Sequence, residues 1–231
     1  MASDNANSDL SSQAGSLWGK TGGRENPSLW NPLVTHLADT AEVVRLIWRE
    51  WLAISVQSFV CQQIQLSSQD AEVLVTWIAC VHDIGKASPS FQSKVSDRSE
   101  VAASTGLRFS SHCESYSHAS MGELMLKRWL VERGWNERLC YGCAAIVGGH
   151  HGINPNEEDL EKIAHRTRVD PLSSLGDEEW SNVQDELLMW AFVNTGASAA
   201  EKRLREATLP TRVQVILTAT VILAEWSASN T

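Results

Sequence analysis

Apolar side chains recur along this chain at helical spacing, and no stretch alternates as a half-buried strand would. Leu37, Ala41, Val44, Trp48 and Trp51 follow one another at intervals of four, three, four and three, which is one face of a helix. Asn31 suits the N-cap of that helix and Pro32 its first turn. A second helix is expected from Ser67 or Ser68 through Val73, Leu74, Trp77, Ile78 and Val81, ending at Gly85. Pro89 opens a short helix through Phe91 and Val95, and the polar residues 96–115 read as a loop. Helical patterns return at 117–133, 137–149, 156–166, 177–195 and 210–228. The last of these is rich in Val and Ile, so periodicity alone leaves a strand open there. Its apolar side chains require burial. There are no internal repeats, and the expected class is all-α.

Residues 1–16 are Ser-, Asn-, Asp- and Ala-rich and read as a disordered leader. Residues 17–28, with three glycines and Pro27, read as a loop. The remainder, 17–231, is long enough for one domain with a sizeable core. Six of the ten tryptophans (Trp48, Trp51, Trp77, Trp129, Trp190 and Trp226) lie among apolar neighbours and are expected in that core. The five cysteines are odd in number and follow no signal peptide, which fits a reducing, cytoplasmic interior. Cys140-x-x-Cys143 has no second pair at zinc-ribbon spacing and lies in an apolar run, so both read as packing residues. No apolar stretch reaches the ~18 residues a bilayer requires. A net charge of −9, with no basic run, argues against a chain that grips nucleic acid tightly by itself. It leaves open an enzyme that is handed its substrate by a partner.

The histidines carry the chemical signal. His82-Asp83 and His150-His151 each end an apolar segment, His36 lies early in the first long helix, and His118 opens another. A helical bundle can gather groups from helix ends into one pocket. Each histidine alone reads more readily as a surface or hydrogen-bonded residue. Taken together, imidazole nitrogens and a carboxylate form a ligand set for transition metals. A carboxylate has two oxygens and can serve two ions. Two ions about 3.5–4 Å apart suit the in-line displacement of a phosphodiester.

The stretch His82-Asp83-Ile84-Gly85-Lys86-Ala87-Ser88-Pro89-Ser90-Phe91-Gln92 is more specific than a His-Asp pair. It resembles the HD phosphohydrolase superfamily, and within it the HD nuclease domain of the CRISPR-associated helicase–nuclease of type I interference systems. Trp18-Gly19-Lys20 with Pro32-Leu33-Val34-Thr35-His36-Leu37 resembles that family's N-terminal segment. Ser117-His118-Ala119-Ser120 resembles its central histidine motif, and His150-His151-Gly152 its paired histidines. Leu223-Ala224-Glu225-Trp226-Ser227-Ala228-Ser229-Asn230 resembles its last-helix motif, with Glu225 where the family has Asp. Glu is one methylene longer than Asp, which bears on metal geometry and preference at that position. His112 competes with His118 for the central position, and the small neighbours of His118 favour it.

The resemblance implies an HD-domain helical bundle that cuts single-stranded DNA in CRISPR antiviral interference, with two divalent ions. Fe, Mn, Co or Ni are favoured, with Mg as an alternative. By analogy, one ion is held by His36, His82, Asp83 and Glu225. The other is held by Asp83, His118, His150 and His151. A water activated between the ions is the implied nucleophile. Lys86 is the candidate for steadying a phosphate oxygen, with Ser227 and Ser229 as weaker candidates for positioning ligands or phosphate. The implied partners are a helicase domain or subunit and a CRISPR RNA-guided surveillance complex. No G-x-x-x-x-G-K-[ST] motif occurs, so ATP-driven unwinding is not expected from these residues. The chain is therefore either a stand-alone subunit or a piece of a longer protein, and its end just after the last motif favours the piece. Two alternatives stand beside this reading: an HD phosphohydrolase acting on small nucleotides, and a catalytically silent helical module.

Overall fold

A computed structural model describes residues 10–22 and 26–229, with the side chains of 26–28 left out of the description. A short helix α1 (Ser12–Ser16) is followed by a hairpin of β1 (Trp18–Gly22) and β2 (Asn26–Pro32). Helix α2 (Leu33–Leu46) runs into a π turn (Ile47–Trp51), then α3 (Ile54–Ile64) and α4 (Ser68–Cys80). A 3-10 turn (Ile84–Lys86) leads to α5 (Pro89–Gln92) and α6 (Ser96–Ser104). The long helices α7 (His118–Glu132), α8 (Glu137–Gly148) and α9 (Glu157–Val169) follow. A second 3-10 turn (Pro171–Ser173) precedes α10 (Glu178–Asn194), α11 (Ala197–Leu204) and α12 (Thr211–Ser229). The expected all-α bundle is what forms, and 210–228 is helix rather than strand. No helix among the described residues is long and apolar enough to cross a membrane.

The caps explain why several helices start where they do. The Ser67 hydroxyl accepts from the Asp70 N–H, and the Asn136 and Asp177 side chains accept from the first-turn N–H groups of α8 and α10. Helix α2 packs on α4 and α12, and α7 packs on α8 and on the turn Ile84–Lys86. One end of the core is aromatic. Trp77 of α4 stacks within 5.5–6.3 Å of Trp129, Trp135 and Phe192. Each such pair adds ~1 kcal/mol beyond the burial of its area.

Several expectations are corrected. Residues 12–16 are helical and fixed, with the Ser11 hydroxyl donating to Glu186 Oε2 at 2.6 Å. The expected leader therefore includes ordered residues, and its residues 1–9 lie outside the described ones. Asn31 pairs with Lys20 in the hairpin instead of capping α2, where Pro32 takes the N-cap position. The expected loop at 17–28 thus contains β1 and the start of β2. Helix α4 stops at Cys80, not Gly85, and α6 occupies part of the expected loop 96–115. Helices α3 and α11 were not expected. Among the tryptophans, Trp51 and Trp226 are exposed, whereas Trp48, Trp77, Trp129 and Trp190 are buried. Trp51 leaves the core because the π turn adds a residue after Trp48 and rotates the face away. Helix α12 buries Val213, Leu217, Val221 and Ala224 but exposes Val215 and Leu223, so only one of its sides meets the core.

Candidate metal centre

Two turns that follow helices, and three further helices, supply the cluster. His82 and Asp83 lie in the turn that follows α4, and His150 and His151 lie in the turn that follows α8. His36 is in the second turn of α2 and His118 is the first residue of α7. Glu225 comes from the last turns of α12. Because α4 ends at Cys80, Asp83 is free of helical constraints and points into the space between the helices. Gly85 permits this placement, since a Cβ there would lie 1.8 Å from the His118 carbonyl oxygen and 2.5 Å from the Gly122 nitrogen. The turn therefore touches the backbone of α7 directly, which no side chain would allow.

Asp83 is fully buried and sits at the middle. Its Oδ2 lies 2.7 Å from His36 Nε2, 3.2 Å from His82 Nε2 and 2.6 Å from Lys86 Nζ. Its Oδ1 lies 3.1 Å from His118 Nε2 and 3.3 Å from His150 Nε2. His151 Nε2 is 2.8 Å from His118 Nε2. Ligand atoms from His36, His82 and Asp83 lie within 4.8 Å of one another, as do those of His118, His150 and His151, and those of Asp83, His150 and Glu225. The two oxygens of one carboxylate thus face two groups of imidazoles.

The donor chemistry fits cations. His82 Nδ1–H donates to the Ala79 carbonyl at 2.8 Å and His150 Nδ1–H donates to the Val147 carbonyl at 2.6 Å. These bonds fix the tautomer, so in the neutral ring Nε2 carries a lone pair aimed at Asp83. His82 Nε2, His150 Nε2, Asp83 Oδ1 and Glu225 Oε2 are buried without hydrogen-bond partners. Acceptors that face acceptors in a dry interior are costly unless a cation lies among them. Burial pushes the His82 and His151 pKa values down to about 4, which keeps both rings neutral. Burial opposes ionisation of Asp83, but the imidazoles gathered around it and the adjacent Lys86 ammonium hold it well below the ordinary carboxylate range. Burial and the nearby Asp83 charge raise Glu225. Imidazole nitrogen with carboxylate oxygen is the set that takes Mn, Fe, Co, Ni or Zn.

All seven expected ligand residues come together here. The expected allotment put Glu225 with His36, His82 and Asp83; its carboxylate lies within ligand distance of Asp83 and also of His150. His118 reaches the cluster and His112 lies exposed in the preceding loop. Lys86 is buried, with its ammonium bound to Asp83 and donating to the Gly19 carbonyl at 2.9 Å. Ser227 donates its hydroxyl to the Leu223 carbonyl of its own helix, and the Ser229 carbonyl accepts from Lys20. Cys140 and Cys143 are buried packing residues of α8. The sequence reading did not assign two supporting residues. Gln92 donates to the Trp18 and Lys86 carbonyls and accepts from the Trp18 N–H, which ties the hairpin to the Asp83–Lys86 turn. Phe91 packs its ring 5.5 Å from His118. The signal for both was their place at the end of the His82–Gln92 stretch.

The chain is similar to known proteins in sequence and in fold. The chain is 27% identical to the CRISPR-associated nuclease/helicase Cas3 of Streptococcus thermophilus over 93% of its length and 24% of that protein. It is 30% identical to the CRISPR-associated endonuclease/helicase Cas3 of Thermus thermophilus over 93% of its length and 22% of that protein. It thus spans about a quarter of the length of these curated relatives. The crystal structure of the Thermus thermophilus cas3 HD domain in the presence of Ni2+ superposes with a TM-score of 0.65 at 27% identity, covering 95% of this chain and 78% of that one. The model of the family described as "Cas3, HD domain" matches residues 18–231, so the chain belongs to the Cas3 HD-domain family.

Proposed function

We propose that this chain is a metal-dependent nuclease that hydrolyses phosphodiester bonds of single-stranded DNA in CRISPR interference, beside a helicase domain or subunit and an RNA-guided surveillance complex. The observation that carries the reading is the Asp83 carboxylate, which faces His36 and His82 with one oxygen and His118 and His150 with the other. Relatives bearing this domain are named nuclease/helicase and endonuclease/helicase. In this reading His36, His82 and Asp83 hold one divalent ion, and Asp83, His118, His150 and His151 hold the other. Glu225 adds a carboxylate beside Asp83 and His150. Such ions supply an activated water near neutral pH and offset charge that develops on the phosphate.

The chain's own groups do the rest. The Ala79 and Val147 carbonyls lock His82 and His150 in the ligating tautomer. Asp83 stays ionised, and the Lys86 ammonium beside it is placed to steady a phosphate oxygen as charge builds. His151 is exposed and His118 is one-fifth exposed, while His82 and His150 are buried, so the substrate approaches from the α7 side. The test is incubation of circular single-stranded DNA with the purified chain and Mn²⁺, Co²⁺, Ni²⁺ or Fe²⁺, beside a His82→Ala/Asp83→Ala double variant and beside deoxynucleoside triphosphates. Metal-dependent cutting that the double variant lacks is expected. Hydrolysis of the triphosphates with intact circles would replace this reading with a small-nucleotide phosphohydrolase.

A further inference from the structure

The exposed rim of the metal centre continues into a strip of cations seated on aromatic rings. Phe91 packs its ring against His118, and the Lys94 ammonium lies 4.8 Å from the centre of that same ring. On its other side Phe91 stacks on Trp18 of the hairpin at 4.5 Å. The hairpin also carries Trp30, whose ring lies 4.8 Å beneath the Arg98 guanidinium and remains about one-third exposed. Lys94 and Arg98 have no carboxylate partner among the described residues, although Asp97 and Glu100 share helix α6 with Arg98. Arg45, Arg49, Arg108, Arg128, Arg166 and Arg203 are each tied to Asp or Glu, and what distinguishes Lys94 and Arg98 from other cations without such a tie, such as Arg133, is their place on the rings that run out from His118. Positive charge is thus left unneutralised beside the centre of a protein whose net charge is −9.

Resting on the reading of this centre as a nuclease, we propose that Lys94 and Arg98, with Trp30, form the binding track that leads a single-stranded nucleic acid to His118 and His151. The physical case has two parts. Unpaired cations along a path contact successive phosphates and release their counterions. An aromatic ring beside them accepts an unstacked base, which a duplex does not offer. Burial lowers the Lys94 pKa, with a smaller effect from the Lys86 charge, and an arriving phosphate favours its charged form. Cation–aromatic pairs occur elsewhere, as at Arg133 on Trp129. That pair stands at the far end of α7, about 22 Å from His118 along the helix, and serves as the control.

The experiment measures binding of a fluorescent single-stranded oligonucleotide by anisotropy across a salt series, with EDTA present so that nothing is cut. The proteins are the wild-type chain, Lys94→Gln/Arg98→Gln, Trp30→Ala and Arg133→Gln, each checked for an unchanged helical spectrum. The double variant is expected to lower the slope of log affinity against log salt by about 1.4, since each lost single-strand phosphate contact contributes about 0.7. Trp30→Ala is expected to weaken single-strand binding by about five-fold or more while leaving duplex binding unchanged. Arg133→Gln is expected to match the wild type. A double variant with wild-type affinity and slope overturns the track, and so does a wild type that does not bind the oligonucleotide. Hydrolysis of bis(p-nitrophenyl) phosphate with Mn²⁺ separates the two readings, because that diester is too small to reach Lys94. Absence of this hydrolysis in the wild type overturns the nuclease reading, whereas hydrolysis by the wild type together with a double variant that binds the oligonucleotide with wild-type affinity and salt slope overturns only the track.

Discussion

Gly85→Ala tests whether the turn after α4 must touch the backbone of α7. An added Cβ meets the His118 carbonyl oxygen at 1.8 Å, the His118 carbonyl carbon at 2.8 Å and the Gly122 nitrogen at 2.5 Å. Real Cβ contacts essentially never fall below 3.0 Å, so the turn and the first residues of α7 must separate by about 1.2 Å, the difference from 1.8 Å. No flexible side chain stands at the contact to absorb this. Overpacking costs about 1–3 kcal/mol, and a backbone-to-backbone clash belongs at the upper end. For a domain of this size, about 3 kcal/mol lowers Tm by roughly 6–12 °C. The same displacement carries His118 away from Asp83, now 3.1 Å apart, while His36 and His82 stay in place. Calorimetric titration with Ni²⁺ should therefore show weakened binding in one group of ligands and near-normal binding in the other. Gly15→Ala is the control, because nothing lies within 4 Å of a Cβ there. A Gly85→Ala protein that melts within about 2 °C of wild type, well under the expected shift, and titrates identically would refute the argument.

Two further outcomes follow from the same geometry. Ni²⁺ or Mn²⁺ at about 100 times its Kd should stabilise the chain by about 2.7 kcal/mol, seen as a rise of roughly 5–11 °C in Tm, and His82→Ala/Asp83→Ala should abolish the rise. Asp70 receives both Arg203 Nε and Nη2, a contact that holds its carboxyl below the ordinary value of 3.8. A depressed folded pKa means that the contact stabilises above the unfolded value and loses its effect as pH falls through the folded one. Because Arg203 is 58% exposed, the contribution is at most about 1 kcal/mol. Urea midpoints should show that cost for Asp70→Asn near neutral pH and a shrinking difference below about pH 4, and a cost that grows with acid would contradict the sign.

The helices legible in the sequence are those whose burial and caps agree. Helix α8 opens on Asn136 and buries Leu139, Cys140, Cys143, Ile146 and Val147, so its apolar positions and its start point to the same residues. Helix α6 was illegible because it buries Ala102 alone and is otherwise polar, so its pattern is that of a loop and its packing against α1 holds it in place. The hairpin hid for a related reason. Its strands carry Gly19, Gly22, Pro27 and Pro32, and Gly19 serves close approach, since a Cβ there would meet the Leu33 Cα at 2.9 Å. The site was legible as a set of residue types at motif positions. The placement of Glu225 next to His150 was not, because it depends on how α12 crosses α8 rather than on any local spacing.

His82 and His150 show why these ligands stand just past helix ends. Each follows its helix by two residues, and each donates its Nδ1–H to the carbonyl three residues earlier, Ala79 in one case and Val147 in the other. The last carbonyls of a helix lack intrahelical partners, so they accept from these rings without disturbing the ladder. The same carbonyls form the negative end of the helix dipole. Two such ends, α4 and α8, converge on Asp83 and make its surroundings more favourable to cations than the carboxylate alone would. Lys86 answers part of that negative potential from the third residue after Asp83, and its ammonium is anchored by Gly19 of the hairpin. The hairpin therefore acts on the centre through Lys86, and loosening it would shift the balance of charge at Asp83 before it moved any histidine.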